Sequence, residues 1–146
     1  TRWNCSSRGL GDVYKRQLPH TTKSEFDISS VTVLPDVMIL SDFTGMAQSV
    51  VERFGRQPMD GLIVRTFAGG RMSAGMMAAL EEIADLGVPT VVTSRVPEGR
   101  IVSPPSYNFP VIVSNGQQDN KARILLMLAL TKSSERGEIQ RIFDTY

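Results

Sequence analysis

The sequence predicts an α/β fold with a parallel sheet of about four strands flanked by helices. Two observations support this prediction. Short runs rich in β-branched residues recur along the chain, and amphipathic helical patterns separate the first three of these runs. Strands that alternate with crossover helices pair in parallel within one sheet. A single domain of this size can bury a core without disulfides or metal.

The four predicted strands are short apolar runs that read as buried segments. Their composition and length favour strands over helices, since each is far shorter than a typical helix. The runs are VMIL at 37–40, LIV at 62–64, TVVT at 90–93 and VIV at 111–113.

Helical spacing predicts one helix between the first two strands and one between the next two. In the first, Gly55 follows the apolar positions as a stop signal. In the second, Ser73 is the expected N-cap and Gly87 closes the helix. Their apolar positions are Met46, Ala47, Val50, Val51 and Phe54 in the first, and Met76, Met77, Leu80, Ile83 and Ala84 in the second. The adjacent methionines are interpreted as core residues.

Two further helices are predicted after the fourth strand. Asp119 is expected to cap DNKARILLMLALTK, whose apolar positions wrap most of its circumference and predict a largely buried helix. These positions are Ile124, Leu125, Met127, Leu128, Ala129 and Leu130. The chain then ends in EIQRIFDTY, a short amphipathic helix that carries Ile139, Ile142 and Phe143.

The first 17 residues differ in composition from the rest and are interpreted as a non-native leader. They hold the single Trp, the single Cys and four of the 16 basic residues. Residues 7–17, SRGLGDVYKRQ, resemble the translation of a transposase adapter used to prepare sequencing libraries. Such scars are excluded from fold reasoning. The alternative is a genuine N-terminal arm. With the leader set aside, we expect sequence upstream of Leu18 to have been lost.

Composition argues against several kinds of partner. Residues 18–146 contain 12 basic and 14 acidic residues, which disfavours a nucleic-acid footprint. No run of 18 apolar residues predicts a membrane span. His20 is the single histidine and Cys5 lies in the leader, so no metal site is predicted. No cofactor is predicted either, since the chain carries neither a Walker loop nor GxGxxG.

Candidate binding residues lie where the predicted strands end, because open parallel sheets bind ligands at that edge. Three segments follow strands: SDFTG at 41–45, RTFAGGRMSAG at 65–75 and SRVPEG at 94–99. In the second, Gly69 and Gly70 allow a turn closed to other residues and lead into the helix capped by Ser73. Ser94 and Arg95 are further possible contacts at a strand end.

Arg71 is the most informative of these residues. A cation beside a helix N-terminus opposes the macrodipole by about 0.3–1 kcal/mol, so Arg71 predicts a nearby anion. The alternative is a solvated arginine, and Arg65 and Arg95 carry the same ambiguity. No catalytic residue is predicted, because the hydroxyls of Thr44 and Ser94 have no histidine or lysine close in sequence to act as a base.

Several segments resemble the C-terminal domain of bacterial L-asparaginases and glutaminase-asparaginases. HTTKSEFDI at 20–28 is similar to the segment that links their two domains, and MDGLIV at 59–64 is similar to the strand that enters their glycine loop. VVTSRVPEGR at 91–100 resembles their SSRVP-type turn. NKARILLMLALTK followed by EIQRIFDTY resembles their C-terminal helices and is the most specific match.

The resemblance implies a Rossmann-like or flavodoxin-like domain at 36–146, preceded by the remnant of an interdomain linker at 18–35. It implies a homotetrameric amidohydrolase that converts asparagine and water to aspartate and ammonia, with its threonine nucleophile on a missing N-terminal domain. This chain would supply the oligomer interface and neighbour-site contacts from Gly69, Gly70, Arg71 and Ser73, and would be inactive alone. Cytoplasmic and periplasmic residence both stay open.

Two departures from the family pattern bear on specificity. Arg71 stands where the glycine loop usually has Asn or Ser, and the loop at 100–110 has no acid to bind a substrate ammonium group. The alternative function is a freestanding flavodoxin-like ligand-binding or interaction module.

Overall fold

The computed structural model describes residues 24–96, 101 and 107–146. The predictions for the leader, for His20 and for Pro97–Gly99 of the SRVP-type turn therefore lie outside the described residues. Within the described ranges, none of the helices has the length and apolar character that a membrane crossing requires.

In the described part of the chain, the sheet has four parallel strands in the order β1-β2-β3-β4, which confirms the predicted fold class. Neighbouring strands are aligned along their length, with Ile39 opposite Ile63 and Ile63 opposite Val91. Val111 was predicted to lie in the last strand but stands just outside it. The strands are β1 (Val37–Ser41), β2 (Gly61–Thr66), β3 (Thr90–Ser94) and β4 (Ile112–Val113).

Within the described residues, four α-helices accompany the sheet at the predicted places. They are α1 (Gln48–Gly55), α2 (Ala74–Asp85), α3 (Asp119–Leu130) and α4 (Arg136–Thr145). Ser73 caps α2, since its Oγ accepts the Met76 N–H at 3.3 Å. Gly87 follows α2 with a φ of +76°, as a C-terminal glycine should. Both of these predictions are confirmed.

The start of α1 was predicted two residues too early. Ala47 is its N-cap with extended backbone, and Met46 precedes it as a buried residue of the loop after β1. Met46 packs into the core just before the helix and so extends its periodic pattern, which explains its inclusion. Val50 is 48% exposed, whereas Val51 is fully buried. The buried face of α1 is thus narrower than predicted.

Two predictions for α3 were wrong. The N-cap is Gln118, and Asp119 is the first helical residue, with a carboxylate that accepts the Asn120 N–H at 3.0 Å. The helix is also less buried than predicted, since Ile124, one of its predicted apolar positions, is 58% exposed. α3 covers one face of the sheet, so part of its circumference stays in solvent. Its buried residues are Ala122, Leu125, Leu126 and Ala129.

The core forms two layers on opposite faces of the sheet. Ile63 of β2 packs with the residues of α3 and α4, whereas its neighbours Leu62 and Val64 pack with those of α1 and α2. This alternation is the two-residue period of a strand. Met76 is fully buried and Met77 packs partly buried against the same cluster, which confirms their assignment to the core. Ile139, Ile142 and Phe143, the apolar positions of the predicted amphipathic helix, are fully buried.

Side chains from the helices cover polar backbone groups of both outer strands. Gln140 of α4 pairs with β4, accepting the Val113 N–H at 2.9 Å and donating to the Val113 carbonyl at 3.2 Å. Arg123 of α3 donates from Nε to the Val37 carbonyl of β1 at 2.6 Å. Covering unpaired strand groups in this way discourages edge-to-edge association.

The stretch predicted to be an interdomain linker packs against the C-terminal helices through residues 25 and 26. The carboxylate of Glu25 accepts hydrogen bonds at 2.6 Å from both Lys132 and Arg141. The Tyr146 hydroxyl accepts the Glu25 backbone N–H at 3.0 Å, and its ring lies 5.4 Å from that of Phe26. These contacts hold the N-terminal part of the described chain against α4.

We expect Glu25→Gln to weaken this attachment at neutral pH only. The hydrogen bond from Arg141, followed by that from Lys132, holds the pKa of Glu25 below its ordinary value. The ionised form therefore stabilises the fold above the ordinary pKa, and this contribution is lost as the pH falls below about 4. Because the pairs are largely exposed, the loss at pH 7 should stay below about 1 kcal/mol.

Urea denaturation of the wild type and of Glu25→Gln at several pH values measures this difference. Glu135→Gln is the matched control, since Glu135 is exposed and no described residue pairs with its carboxylate. A difference between wild type and Glu25→Gln that persists unchanged at pH 3 would contradict the assignment.

Candidate functional site

Three loops meet at the carboxyl edge of the sheet, because they follow three adjacent parallel strands. They begin at Asp42 after β1, at Phe67 after β2 and at Arg95 after β3. The described residues predicted as contacts all lie in these loops or at the strand ends that lead into them. We call residues 67–73 the glycine loop.

The glycine loop is a closed turn that requires its two central glycines. Gly69 has a φ of +68° and Gly70 a φ of +84°, a region that side chains with a Cβ rarely occupy. Phe67 closes the turn, with its N–H donating to the Arg71 carbonyl at 2.9 Å and its carbonyl accepting the Gly70 N–H at 3.3 Å. The sequence correctly predicted a turn that excludes other residues at these two positions.

Asp42 joins the loop after β1 to the glycine loop, and sequence reasoning did not single it out. Its side chain is buried, with the residue only 2% exposed. One carboxylate oxygen accepts the Ser73 N–H at 2.6 Å and the other accepts the Ser73 hydroxyl at 2.7 Å. Since Ser73 also caps α2 through Met76, the carboxylate lies at the positive end of that helix. An acid directly after a strand of a parallel sheet was the available signal.

The Asp42 carboxylate removes the need for a bound anion at the start of α2, which the sequence had predicted from Arg71. The negative charge expected at the start of α2 is present within the chain, as the carboxylate of Asp42. The Ser73 hydroxyl is also engaged twice, once as donor to Asp42 and once as acceptor from Met76. Arg71 itself is exposed, and none of the described residues pairs with its guanidinium. Arg71 is thus an exposed residue of the glycine loop whose guanidinium has no partner within the described ranges.

Tyr107 holds the glycine loop from the other side. Its hydroxyl donates to the Gly70 carbonyl, and its ring stacks on that of Phe109 with centroids 5.5 Å apart. Burial raises the pKa of Tyr107 to about 12, so the hydroxyl remains protonated and able to donate at neutral pH. The contact joins residues 37 positions apart, and no local pattern signals it.

The other predicted contacts at this edge are engaged within the domain. Ser94 is 8% exposed and its Oγ accepts the Val96 N–H at 3.2 Å. The Arg95 guanidinium lies over the Phe67 ring, 4.2 Å from its centroid. Arg65, which carried the same ambiguity as Arg71, lies 3.6 Å from Asp119 through its Nε. Of these three arginines, Arg71 is the one for which the described part of the chain offers no partner.

The described part of the chain holds no assembled catalytic set. Nucleophilic catalysis needs a hydroxyl, thiol or amine with a base in reach. No described Ser or Thr hydroxyl is bonded to a lysine, and the one that donates to a carboxylate, Ser73 to Asp42, also serves as the cap of α2. Among these residues there is also no group of three or more His, Cys, Asp or Glu placed to hold a metal ion. The described part of the site has the features needed to bind and orient a ligand.

Known proteins resemble this chain over most of its length. The glutaminase-asparaginase of Pseudomonas fluorescens biotype A is 32% identical over 143 residues, which cover 93% of this chain and 40% of that protein. The L-asparaginase 2 of Escherichia coli K12 is 30% identical over 132 residues, covering 87% of this chain and 37% of that protein. The chain thus spans about two fifths of the length of these relatives.

A solved structure and a family-level match agree with these relatives. The crystal structure of a probable cytoplasmic L-asparaginase from Campylobacter jejuni matches with a TM-score of 0.81 and 31% identity. The match covers 89% of this chain and 42% of that one. The sequence model of the glutaminase/asparaginase C-terminal domain matches residues 36–143. On this evidence, the chain belongs to the glutaminase/asparaginase C-terminal domain family.

Proposed function

We propose that this chain is the C-terminal domain of an asparaginase-type amidohydrolase, which in its full form converts asparagine and water to aspartate and ammonia. The family match over residues 36–143 is the observation that carries the proposal. The names of the relatives cover both asparagine and glutamine, so the substrate class is a small amino-acid amide. We assign residues 18–35 to an interdomain linker and residues 36–146 to the domain.

Within such an enzyme, this domain contributes the oligomer interface and contacts to a neighbouring active site. Acyl transfer through a covalent intermediate requires a nucleophile activated by a base, and we place both on an N-terminal domain. The glycine loop supports a binding role, because it lies at the carboxyl edge of the sheet where ligands of open α/β domains bind. The chain by itself should therefore not hydrolyse asparagine.

Arg71 is the proposed contact residue. Its exposed guanidinium has no partner among the described residues, while Asp42 already occupies the start of α2. A guanidinium binds carboxylates with paired, charge-assisted hydrogen bonds. We assign it to the substrate carboxylate or to an acid on an adjoining subunit.

Ammonia release from asparagine and glutamine tests the function. The reading frame is extended upstream in unamplified source DNA, and the extended protein is compared with the 146-residue chain. We expect the extended protein to hydrolyse at least one of the two amides and the 146-residue chain to hydrolyse neither. An inactive extended protein, or turnover by the short chain, would overturn the proposal. A natural start codon just before His20 would favour the freestanding module instead.

Arg71→Ala in the extended enzyme tests the contact. We expect kcat/KM to fall about 10- to 100-fold if Arg71 binds substrate, since hydrogen bonds to charged groups contribute about 1.5–3 kcal/mol. If Arg71 binds a neighbouring subunit, the oligomeric mass should fall. Arg53→Ala is the control, because Arg53 is exposed near the end of α1. Unchanged kcat/KM together with unchanged mass would exclude both roles.

A further inference from the structure

The backbone on both sides of Arg71 is fixed by residues from outside the glycine loop. Gly70, immediately before Arg71, accepts a hydrogen bond from the Tyr107 hydroxyl. Ser73, two positions after Arg71, donates hydrogen bonds from its N–H and from its hydroxyl to the Asp42 carboxylate. Met72, which lies between them, packs partly buried against the core on the α1–α2 side of the sheet. Arg71 is thus the exposed residue of a segment held at both ends.

The burial of Asp42 suggests more than a capping role for its carboxylate. Ser73 already caps α2 through its own Oγ, so the helix does not need a second residue for that bond. Burying a carboxylate is costly unless it is hydrogen-bonded. Among the described residues, the two groups that donate to the Asp42 carboxylate both belong to Ser73. The carboxylate therefore fixes the last residue of the glycine loop relative to β1.

We propose that Asp42 is a positioning residue, which together with Tyr107 sets the direction in which the glycine loop presents Arg71 to its carboxylate partner. The inference rests on the proposed function for the identity of that partner. We call the two contacts, of Asp42 with Ser73 and of Tyr107 with Gly70, the clamp. The clamp lies within this chain, so it can be tested without the proposed function. A residue that only capped α2 would not influence the Tyr107 contact at the opposite end of the loop.

Asp42→Asn tests the clamp in the 146-residue chain. The side-chain oxygen of an asparagine can still accept the Ser73 N–H, but its amide nitrogen cannot accept from the Ser73 hydroxyl, and the charge is lost. We expect amide hydrogen exchange in residues 69–73 to rise by at least about tenfold, with little change in the interior of α2. Asp85→Asn is the control, since Asp85 is exposed at the far end of the same helix.

The pKa of the Tyr107 hydroxyl provides a second readout, which a small loss of global stability would not change. Its pKa is raised to about 12 by burial, so at pH 11 the wild-type hydroxyl should be mostly protonated. Release of the glycine loop should expose it, and Tyr107 should then be mostly ionised at pH 11 in Asp42→Asn. Tyrosine NMR signals, assigned with Tyr107→Phe, measure this while circular dichroism confirms that the fold is intact.

Ser73→Ala keeps the inference testable if Asp42→Asn does not fold. It removes the hydroxyl and leaves the carboxylate with the backbone N–H of residue 73, so the same two changes should appear. Because the hydroxyl also caps α2, faster exchange in the first turn of that helix should accompany them. Exchange in residues 69–73 that matches the wild type in a folded variant would overturn the clamp. So would faster exchange spread evenly through α2 with an unchanged Tyr107 ionisation.

The extended enzyme separates this inference from the proposed function. There we expect Asp42→Asn to lower kcat/KM, and to cause no further loss once Arg71→Ala is present, because the two residues act through one contact. Additive losses would overturn the positioning role. If the enzyme proves inactive, the proposed function fails, while the exchange and ionisation results still decide whether the clamp exists.

Discussion

Leu126→Ala is expected to lower the free energy of unfolding by about 2–5 kcal/mol, the range for truncating a fully buried leucine. Leu126 has no exposed surface and belongs to the core cluster between the sheet and the C-terminal helices. It packs directly on the backbone of β2, since a Cβ built on Gly61 would lie 2.9 Å from Leu126 Cδ2. The cavity left by the truncation would be lined by the strand and by α4, neither of which can easily collapse into it.

Ile124→Ala is the matched control, because Ile124 lies on the same helix and is 58% exposed. Its truncation should change the free energy of unfolding by less than about 0.5 kcal/mol. Urea denaturation followed by circular dichroism at pH 7 measures both variants. Equal losses for the two would contradict the single buried face of α3, and a fall in molecular mass with Ile124→Ala would then show that Ile124 lies in an interface between copies.

The contrast between Leu126 and Ile124 also shows what the sequence could predict about α3. The existence and extent of the helix were readable from composition. Its buried face was not, because apolar residues run without interruption from Ile124 to Leu130 and no polar stripe marks the solvent side. The buried stripe of Ala122, Leu125, Leu126 and Ala129 has the spacing of one helix face, but its rotation is set by where β2 and α4 lie.

A similar distinction applies to the candidate site. Gly69, Gly70 and Ser73 were predictable because their roles are local: a turn with positive φ and the cap of the helix that follows. Asp42 and Tyr107 act on that same turn from 31 and 37 positions away, and contacts at such separations depend on the order of the strands. Parallel order brings the loop after β1 beside the loop after β2. Once that order is known, an acid at the end of β1 can be predicted to contact the loop after β2.

Gly75→Ala is expected to destabilise the domain by about 1–3 kcal/mol, the usual range for overpacking. This reverses the general rule, since replacing a helical glycine by alanine otherwise stabilises by roughly 0.5–1 kcal/mol. Gly75 is the second residue of α2 and lies against the loop after β1. A Cβ at this position would stand 2.4 Å from the Met46 carbonyl oxygen and 3.0 Å from the Gln48 nitrogen. Both are backbone atoms, so the helix or the loop would have to move.

Gly137→Ala provides a control at the same helical position, because Gly137 is the second residue of α4. There the three atoms nearest to a Cβ all belong to the Glu135 carboxylate, the closest at 2.8 Å, and this far end of an exposed side chain can rotate away. The free energy of unfolding should therefore stay the same or rise by up to about 1 kcal/mol. Chemical denaturation of the two variants side by side gives opposite signs if the contact at Met46 is as close as described.

The consequence of Gly75→Ala should extend beyond stability to the glycine loop. The Met46 carbonyl and the Asp42 carboxylate lie four residues apart in the same loop after β1, and they contact α2 at Gly75 and at Ser73. Moving the start of α2 away from Met46 therefore also draws Ser73 away from Asp42. Hydrogen exchange at residues 69–73 should accelerate in Gly75→Ala and remain unchanged in Gly137→Ala. A Gly75→Ala variant as stable as the wild type, with a protected loop, would mean that α2 can shift freely, and the fixed placement of Arg71 would lose its structural basis.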